Sequence, residues 1–464
     1  MDLTTEFNIL GKWFLPYKEH QSCFGELGYS FSGGLQLKIF GSLTGTEHIL
    51  KSKHNFVIDC IWGKTEDGKC VTALSAFGQE FGSDGLIQSR YILEYVCLSS
   101  THFLTIETDQ FDLVSLNFNC SESFFSSLYN RIKRKERDGN GNIQTLQHEG
   151  THPKEIYRDG IFDASLFFDY TSSFSHTKSA EFSFSQTVYL NSTFNSPLPF
   201  EEAVTYSKNI RALFSFFSVS KVFIKKFSIR ERESKEIFAV LFFQENKANI
   251  EKLGLGDLLL QYREMEGEFE QSFKWWVSNK EYVTYGLSLY QQFVYSIGLT
   301  SVQKFLNIVF ALETLHATFF DGKNFTDDEY RTFKNQKKLF QMDELFRARF
   351  NECISNFNTM SFKKRIQELF ELNRQLMGEY IDNIDDFASK VRDQRNYYAH
   401  KHSIEGMNLI PLEHLDYYVF MCKLIFDVTL LKLIGISENN VKTVLNRDFI
   451  FGYYKEKKPT SNVS

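Results

Sequence analysis

The residues best equipped for chemistry lie near the C-terminal end, in the run Val391-Arg392-Asp393-Gln394-Arg395-Asn396-Tyr397-Tyr398-Ala399-His400. An imidazole titrates near pH 6.5 and so exchanges protons at neutral pH. A guanidinium presents a planar donor fork that matches phosphate oxygens. On a helix starting at Asn383, the residues Ile384, Phe387, Ala388, Val391 and Tyr398 form one apolar stripe. At about 100° per residue, Arg395 falls in the middle of it. A guanidinium aimed at a core is costly unless it is paired. Arg392, Asn396 and His400 follow one another at spacings of four and make a polar stripe alongside.

A second anomaly matches the first. Around 305–319, Val302, Leu306 and Val309 set an apolar helix face that Glu313 and His316 continue. The economical expectation is that Glu313 meets Arg395 between packed helices and fixes its orientation. The competing interpretation is a purely structural Glu–Arg pair with an incidental histidine. The pattern also leaves the histidine open, since His402 follows His400 by two residues. Tyr397 and Tyr398 are better suited to core packing than to stacking on bases. A His400/His402 metal pair lacks any supporting cluster with metal-ligand spacing, so no metal and no cofactor is expected. Phosphate-loop, zinc-protease, hydrolase-elbow and EF-hand patterns are absent. The Gly254-x-Gly256 pair lacks the strand context and third glycine of a dinucleotide fingerprint.

The elements that must position these residues fall into two regimes. Up to about residue 250 the chain reads mostly as strands. Leu35–Phe40 alternates apolar and polar residues, and 87–98, 116–120, 181–190 and 236–243 are further strand candidates. One helix interrupts them. It opens at Pro199 as first helical residue, has Glu201 and Glu202 in its first turn, and shows an apolar stripe through Phe217 that should pack on a sheet. The basic run Arg131–Arg137, followed by Gly139-Asn140-Gly141, reads as an exposed loop, with RNA contact as the lesser alternative. From about Gly254 the chain reads as helical, over 256–279, 283–319, 327–350, 361–379, 383–401 and 411–434. No internal repeat is found, and the last residues from Tyr454 read as a polar tail.

Composition narrows the class. The 464 residues carry 52 basic and 58 acidic side chains, a net charge of −6, which argues against a general coat for duplex DNA. With 49 Phe and only 6 Pro, large cores and long helices are available, and disordered or collagen-like chains are excluded. Seven scattered cysteines without a C-x-x-C pair suit reduced thiols in a cytoplasm. The start lacks a basic-then-apolar leader. The most membrane-like stretch, 417–436, holds Lys423, Asp427 and Lys432, each costing roughly 2.5–3.5 kcal/mol in a bilayer centre. It is expected to be a core helix, with no membrane contact.

Arg395-Asn396-Tyr397-Tyr398-Ala399-His400, downstream of a helix carrying Ala311-Leu312-Glu313, resembles the R-N-x-x-x-H motif of HEPN domains. The chain is most similar to the ApeA-like HEPN proteins of bacterial anti-phage defence. Its first half resembles the ApeA N-terminal domain through Gly11-Lys12-Trp13, Gly33-Gly34-Leu35-x-Leu37, Pro197-Leu198-Pro199-Phe200 and the later Trp275-Trp276. The resemblance implies an α+β chain, with a β-rich sensor or regulatory domain over 1–250 and a connecting helical segment over 251–282. An all-α HEPN bundle over 283–450 and a polar tail over 451–464 would follow. It also implies a metal-independent endoribonuclease, in which the RNA 2′-hydroxyl attacks the adjacent phosphorus to leave a 2′,3′-cyclic phosphate. His400 would be general base or acid, Arg395 would stabilise the transition state, Asn396 would position phosphate or His400, and Glu313 would orient Arg395. Arg392 and His402 would be auxiliary substrate contacts. Arg395 and His400 stand about 140° apart on an ideal helix. They converge only if the helix ends near His400 or a second protomer completes the site; HEPN ribonucleases are typically dimers with paired motifs at the interface, so the resemblance implies a homodimer. RNA, with tRNA suggested by analogy, would be the substrate, and a phage-derived signal the trigger. The alternatives are a non-catalytic HEPN module binding nucleotides or a partner, and a structural adaptor.

Overall fold

The structure, a computed structural model, describes residues 2–45, 55–83, 86–102, 110–128, 133–137, 143–147, 153–158, 162–175, 181–244, 253–296, 298–337, 343, 346–347, 350, 357–400 and 406–456. The chain divides into two compact units, 1–274 and 275–464.

In the first unit, twelve strands join in one antiparallel sheet among the described residues. The early strands are β1 (Phe7–Phe14), β2 (Cys23–Ser30), β3 (Gly34–Phe40), β4 (Asn55–Thr65), β5 (Cys70–Ser83), β6 (Leu86–Ser99) and β7 (Phe111–Phe118). Six of them, in the order β6-β3-β2-β1-β4-β5, close on themselves because β5 also pairs with β6. Closure removes the free edges that an open sheet would expose.

Alternation along these strands sends one side chain in two to the barrel interior. Trp13, Leu27, Leu37, Ile39 and Tyr91 are fully buried there. A barrel this narrow accepts two large rings only because glycines face them. A Cβ on Gly63 would come within 2.3 Å of the Trp13 ring, and one on Gly78 within 2.7 Å of Tyr91.

The later strands are β8 (Lys133–Arg137), β9 (Ile143–Gln147), β10 (Lys154–Arg158), β11 (Phe162–Ser175), β12 (Glu181–Phe194), β13 (Ile224–Glu231) and β14 (Ile237–Phe242). Strand β6 is the fork. Its residues 88–93 pair with β3, whereas 95–98 pair with β14. From β14 an open sheet continues through β13, β7, β12, β11 and β10. Helix α1 (Phe200–Ser215) lies on β7 and β13, as its stripe predicts. Pro199 precedes the first helical residue as the N-cap instead of occupying it. Phe214 packs on Phe118 at 4.8 Å between ring centroids, and Phe124, Phe125 and Phe269 extend this aromatic cluster. The basic run differs from expectation: Lys133–Arg137 is a strand, paired antiparallel with β9 in a separate two-stranded sheet.

The helices that follow are α2 (Glu266–Ser278), α3 (Ser288–Tyr295), α4 (Ser301–Phe319), α5 (Asp327–Lys337), α6 (Phe362–Leu372), α7 (Ile384–His400), α8 (Leu415–Leu433), α9 (Glu438–Arg447) and α10 (Phe449–Glu456). The division between the two units falls within α2. Three expected helices are interrupted, the one over 361–379 at Asn373, between Phe362–Leu372 and Arg374–Met377. Residues 255–264 form tight turns instead of helix, because Leu258 bridges to Ser218 and the Asp257 carboxylate accepts from the Gly254 N–H. The 283–319 helix is broken by a π-type turn at Tyr282–Gly286 and by Gly298 at φ +82°. Thr300 then restarts it with a reciprocal cap to Gln303. A helix also stands where a polar tail was expected from 451: Phe451 of α10 is buried, and residues 457–464 lie outside the described residues.

Helix α8 is buried along most of its length and forms the centre of the second unit, packed against α4. No helix of the described residues is long and apolar enough to cross a membrane. Two of the three polar residues that marked 417–436 as a core helix, Lys423 and Asp427, pair within the helix, whereas Lys432 is exposed and donates to the Leu372 carbonyl. Asp427 is buried, forms an ion pair with Lys423, and accepts a 2.8 Å hydrogen bond from the Tyr290 hydroxyl. The Tyr290 ring stacks on Phe426 at 4.4 Å. Burial pushes the Asp427 carboxyl above its ordinary value despite these partners. Tyr290→Phe keeps the stack and removes the donor, so it should destabilise the helical unit by about 1.5–3 kcal/mol. Hydrogen exchange along α8 should quicken accordingly, and wild-type protection would refute the assignment.

Candidate active site

Each helix of the candidate site is started by a side-chain cap. Thr300 caps α4, the Ser361 hydroxyl accepts from the Lys364 N–H at the start of α6, and the Asn383 Oδ1 accepts from the N–H groups of Asp385 and Asp386 at the start of α7. Helices α4, α6 and α7 pack against one another. Inside the motif, Asp393 and Gln394 are buried and hold the chain that returns after it. The Asn408 N–H donates to Asp393 Oδ2 at 3.0 Å, and the Ile410 N–H to Gln394 Oε1 at 2.9 Å.

Arg395 and Glu313 meet as their positions on the apolar stripes predict. The Arg395 Nη2 donates to Glu313 Oε2 at 3.1 Å, and the Nη1 donates to Asn396 Oδ1 at 3.2 Å. The guanidinium carbon lies 5.4 Å from the Phe310 ring centroid and 5.8 Å from that of Phe362, one ring from α4 and the other from α6. Such contacts stabilise a partly desolvated cation. The Nε–H is buried with no partner among the described residues. The side chain is still 23% exposed, so the guanidinium can reach a ligand without leaving its partners.

Arg392 is turned to its neighbour: its Nε donates to Asp393 Oδ1 at 2.8 Å. Tyr398 packs edge-on against Phe305, in keeping with a packing role. His400 is the last described residue of α7, and residues 401–405 lie outside the described residues. The His400 side chain, and His402 altogether, lie outside the described residues. The structure thus brings Glu313, Arg395 and Asn396 together and leaves the imidazole unplaced.

Sequence reasoning missed Phe310 and Phe362, because an apolar residue on an apolar stripe carries no mark of contact with a cation. It also gave no role to Asp393 and Gln394, although adjacent polar residues on a half-buried helix hinted at one. His316, which continued the apolar face, is fully buried, and its Nε2 lies 3.0 Å from Glu368 Oε2 on α6. Against a carboxylate that nitrogen donates, which leaves Nδ1 as acceptor, buried with no partner among the described residues. Burial holds the imidazole below its ordinary value of 6.5, opposed in part by Glu368 and reinforced by Arg365.

A barrel-and-sheet unit followed by a helical bundle with a paired arginine near the end of a helix defines a HEPN-type protein with a large β-rich N-terminal unit. The sequence agrees. Residues 8–276 match the family model of ApeA N-terminal domain 1, and residues 306–440 match that of the Apea-like HEPN domain. The chain belongs to the ApeA-like HEPN family of anti-phage proteins. No curated protein and no solved structure matches it significantly.

A histidine whose folded value is depressed contributes stability that is complete above 6.5 and is lost as pH falls from there through the folded value. The wild type should therefore lose denaturant resistance between pH 8 and pH 5.5, and His316→Gln should lose less. Equal losses in the two proteins would show that His316 is not the group responsible.

Proposed function

We propose that the helical unit is a metal-independent endoribonuclease acting in anti-phage defence. The observation that carries this reading is Arg395, a guanidinium held by Glu313, Asn396 and two aromatic faces, five residues before His400 in α7. The RNA 2′-hydroxyl attacks the adjacent phosphorus and the bond to the 5′-oxygen breaks. The products are a 2′,3′-cyclic phosphate and a 5′-hydroxyl. Arg395 stabilises the charge that develops on the phosphorane oxygens, where a preorganised donor is worth most. Glu313 fixes the fork's orientation, and Asn396 holds the second guanidinium nitrogen.

His400 moves the proton. We propose a homodimer in which two HEPN units place both His400 side chains at one cleft. One imidazole takes the proton from the 2′-hydroxyl and the other gives one to the leaving 5′-oxygen. Arg392 and His402 flank this cleft as auxiliary contacts to RNA. Transfer RNA is the first substrate to test, and the β-rich unit senses a phage-derived signal or gates the site. With a chain charge of −6, RNA contact is local to the motif.

His400→Ala should lower cleavage by about 10²–10⁴-fold, the usual worth of a general acid or base. Arg395→Ala should lower it by about 10²–10³-fold, the worth of one preorganised donor. End-mapping of RNA treated with each protein should find cyclic-phosphate ends with the wild type alone, and a chelator should leave the yield unchanged. Intact RNA with the wild type, in a strain where both variants still protect against phage, would remove the nuclease reading.

The dimer is tested separately, by sedimentation of the purified wild type. A monomer with and without RNA would remove the two-histidine cleft.

A further inference from the structure

The first unit holds a cavity that the nuclease reading does not use. It has a volume of about 530 Å³ and lies where β6 passes from β3 to β14. At that fork Leu93 still pairs with Leu35 of β3, and Tyr95 already pairs with Phe242 of β14. Glu94 stands between them, in the gap that two diverging strands leave. The volume is in the range of small-molecule sites.

Its lining is unusual in three respects. Lys208, on α1, enters from one side. Its ammonium lies 5.5 Å from the Tyr95 ring centroid and 5.2 Å from that of Phe242, and makes no hydrogen bond or ion pair among the described residues. Burial draws this amine below its ordinary value, reinforced by nearby Arg211 and opposed by Glu94. Apolar side chains stand open at the cavity: Phe77 is 42% exposed, Ile92 55% and Phe243 43%. Phe77 and Ile92 face each other directly across β5 and β6. Finally, Ser75 in the middle of β5 adopts φ +53°, a left-handed conformation that is strained for a non-glycine residue and tends to persist at ligand sites. On the opposite wall Gly34, at φ +69°, lets the Phe243 ring lie 3.3 Å from where a Cβ would be.

From this geometry we infer that the cavity is a binding site for a planar aromatic anion of mononucleotide size. The open rings of Phe77 and Phe243 take the planar group by stacking, and the Lys208 ammonium pairs with the anionic group. A cation held only by ring faces has its donors free for that pairing. The exposed Glu94 at the rim disfavours ligands with several negative charges close together, which selects for a single anionic group. The cavity lies wholly within the first unit, so occupancy there is separable from RNA binding at Arg395.

The test is calorimetric titration of the full chain with AMP, GMP, CMP and UMP, and with the corresponding nucleosides and inorganic phosphate as the two halves of each ligand. At least one nucleotide should bind more tightly than either half. Lys208→Met should weaken that nucleotide at least tenfold and leave its nucleoside unaffected. Phe77→Ala, at an exposed position that should not disturb folding, should weaken both nucleotide and nucleoside. The Arg395→Ala protein should bind as the wild type does, which separates this site from the HEPN motif. The proposal is overturned if no nucleotide binds, if binding survives both cavity substitutions, or if it is lost with Arg395→Ala alone.

Discussion

Arg395 is a permanent cation placed where a helical bundle would otherwise put a leucine. Its burial is tolerable only if its charge and its outer donors are met, the buried Nε–H having no partner among the described residues. Three helices meet these needs together: Glu313 and Phe310 come from α4, Phe362 from α6, and Asn396 from α7 itself. Moving any one of them would leave a partly buried charge short of partners, so the packing of α4, α6 and α7 and the orientation of the guanidinium are one condition. The buried Asp393 and Gln394 extend it, since they hold the chain at 408–410 and thereby the start of the path to α8. The same logic recurs deeper in the bundle, where Asp427 is kept charged-partner-bound by Lys423 and Tyr290.

The phenylalanines serve two different kinds of core. In the barrel, space is short, and the large rings of Trp13 and Tyr91 are admitted by glycines at 63 and 78. Under the open sheet, α1, the segment just after β7 and α2 fill a wide layer with phenylalanines that meet edge to face. The fork in β6 joins these two solutions. It is also where apolar residues remain uncovered and the backbone departs from extended geometry, the combination on which the ligand site is argued.

Several elements could be read from period alone. Leu35–Phe40 alternates and is a strand, the 200–217 stripe is a helix on a sheet, and 417–436 is a buried core helix. The Glu313–Arg395 contact belongs with these, because two charges on apolar stripes have few ways to be satisfied. Barrel closure could not be read: β5 and β6 alternate alike whether or not their outer edges find partners. The pairing of the basic run at 133–137 is illegible for a related reason, since charge suggests a surface but says nothing about backbone pairing. The interruptions between 282 and 300 depend on a glycine's left-handed turn and a threonine cap, which hydrophobic periodicity does not register.

By itself the sequence determined the α+β order, the family resemblance and the pairing of Arg395 with Glu313, because periodicity and the cost of an unpaired buried charge act locally and leave one answer. Only the tertiary structure decided which aromatic faces flank the guanidinium, that Arg392 turns to Asp393, that six strands close while six stay open, and that a cavity with a lysine opens at their junction. Those outcomes rest on contacts between residues far apart in the chain, and in such contacts side-chain volume and the pairing of distant strand edges settle what a local pattern cannot.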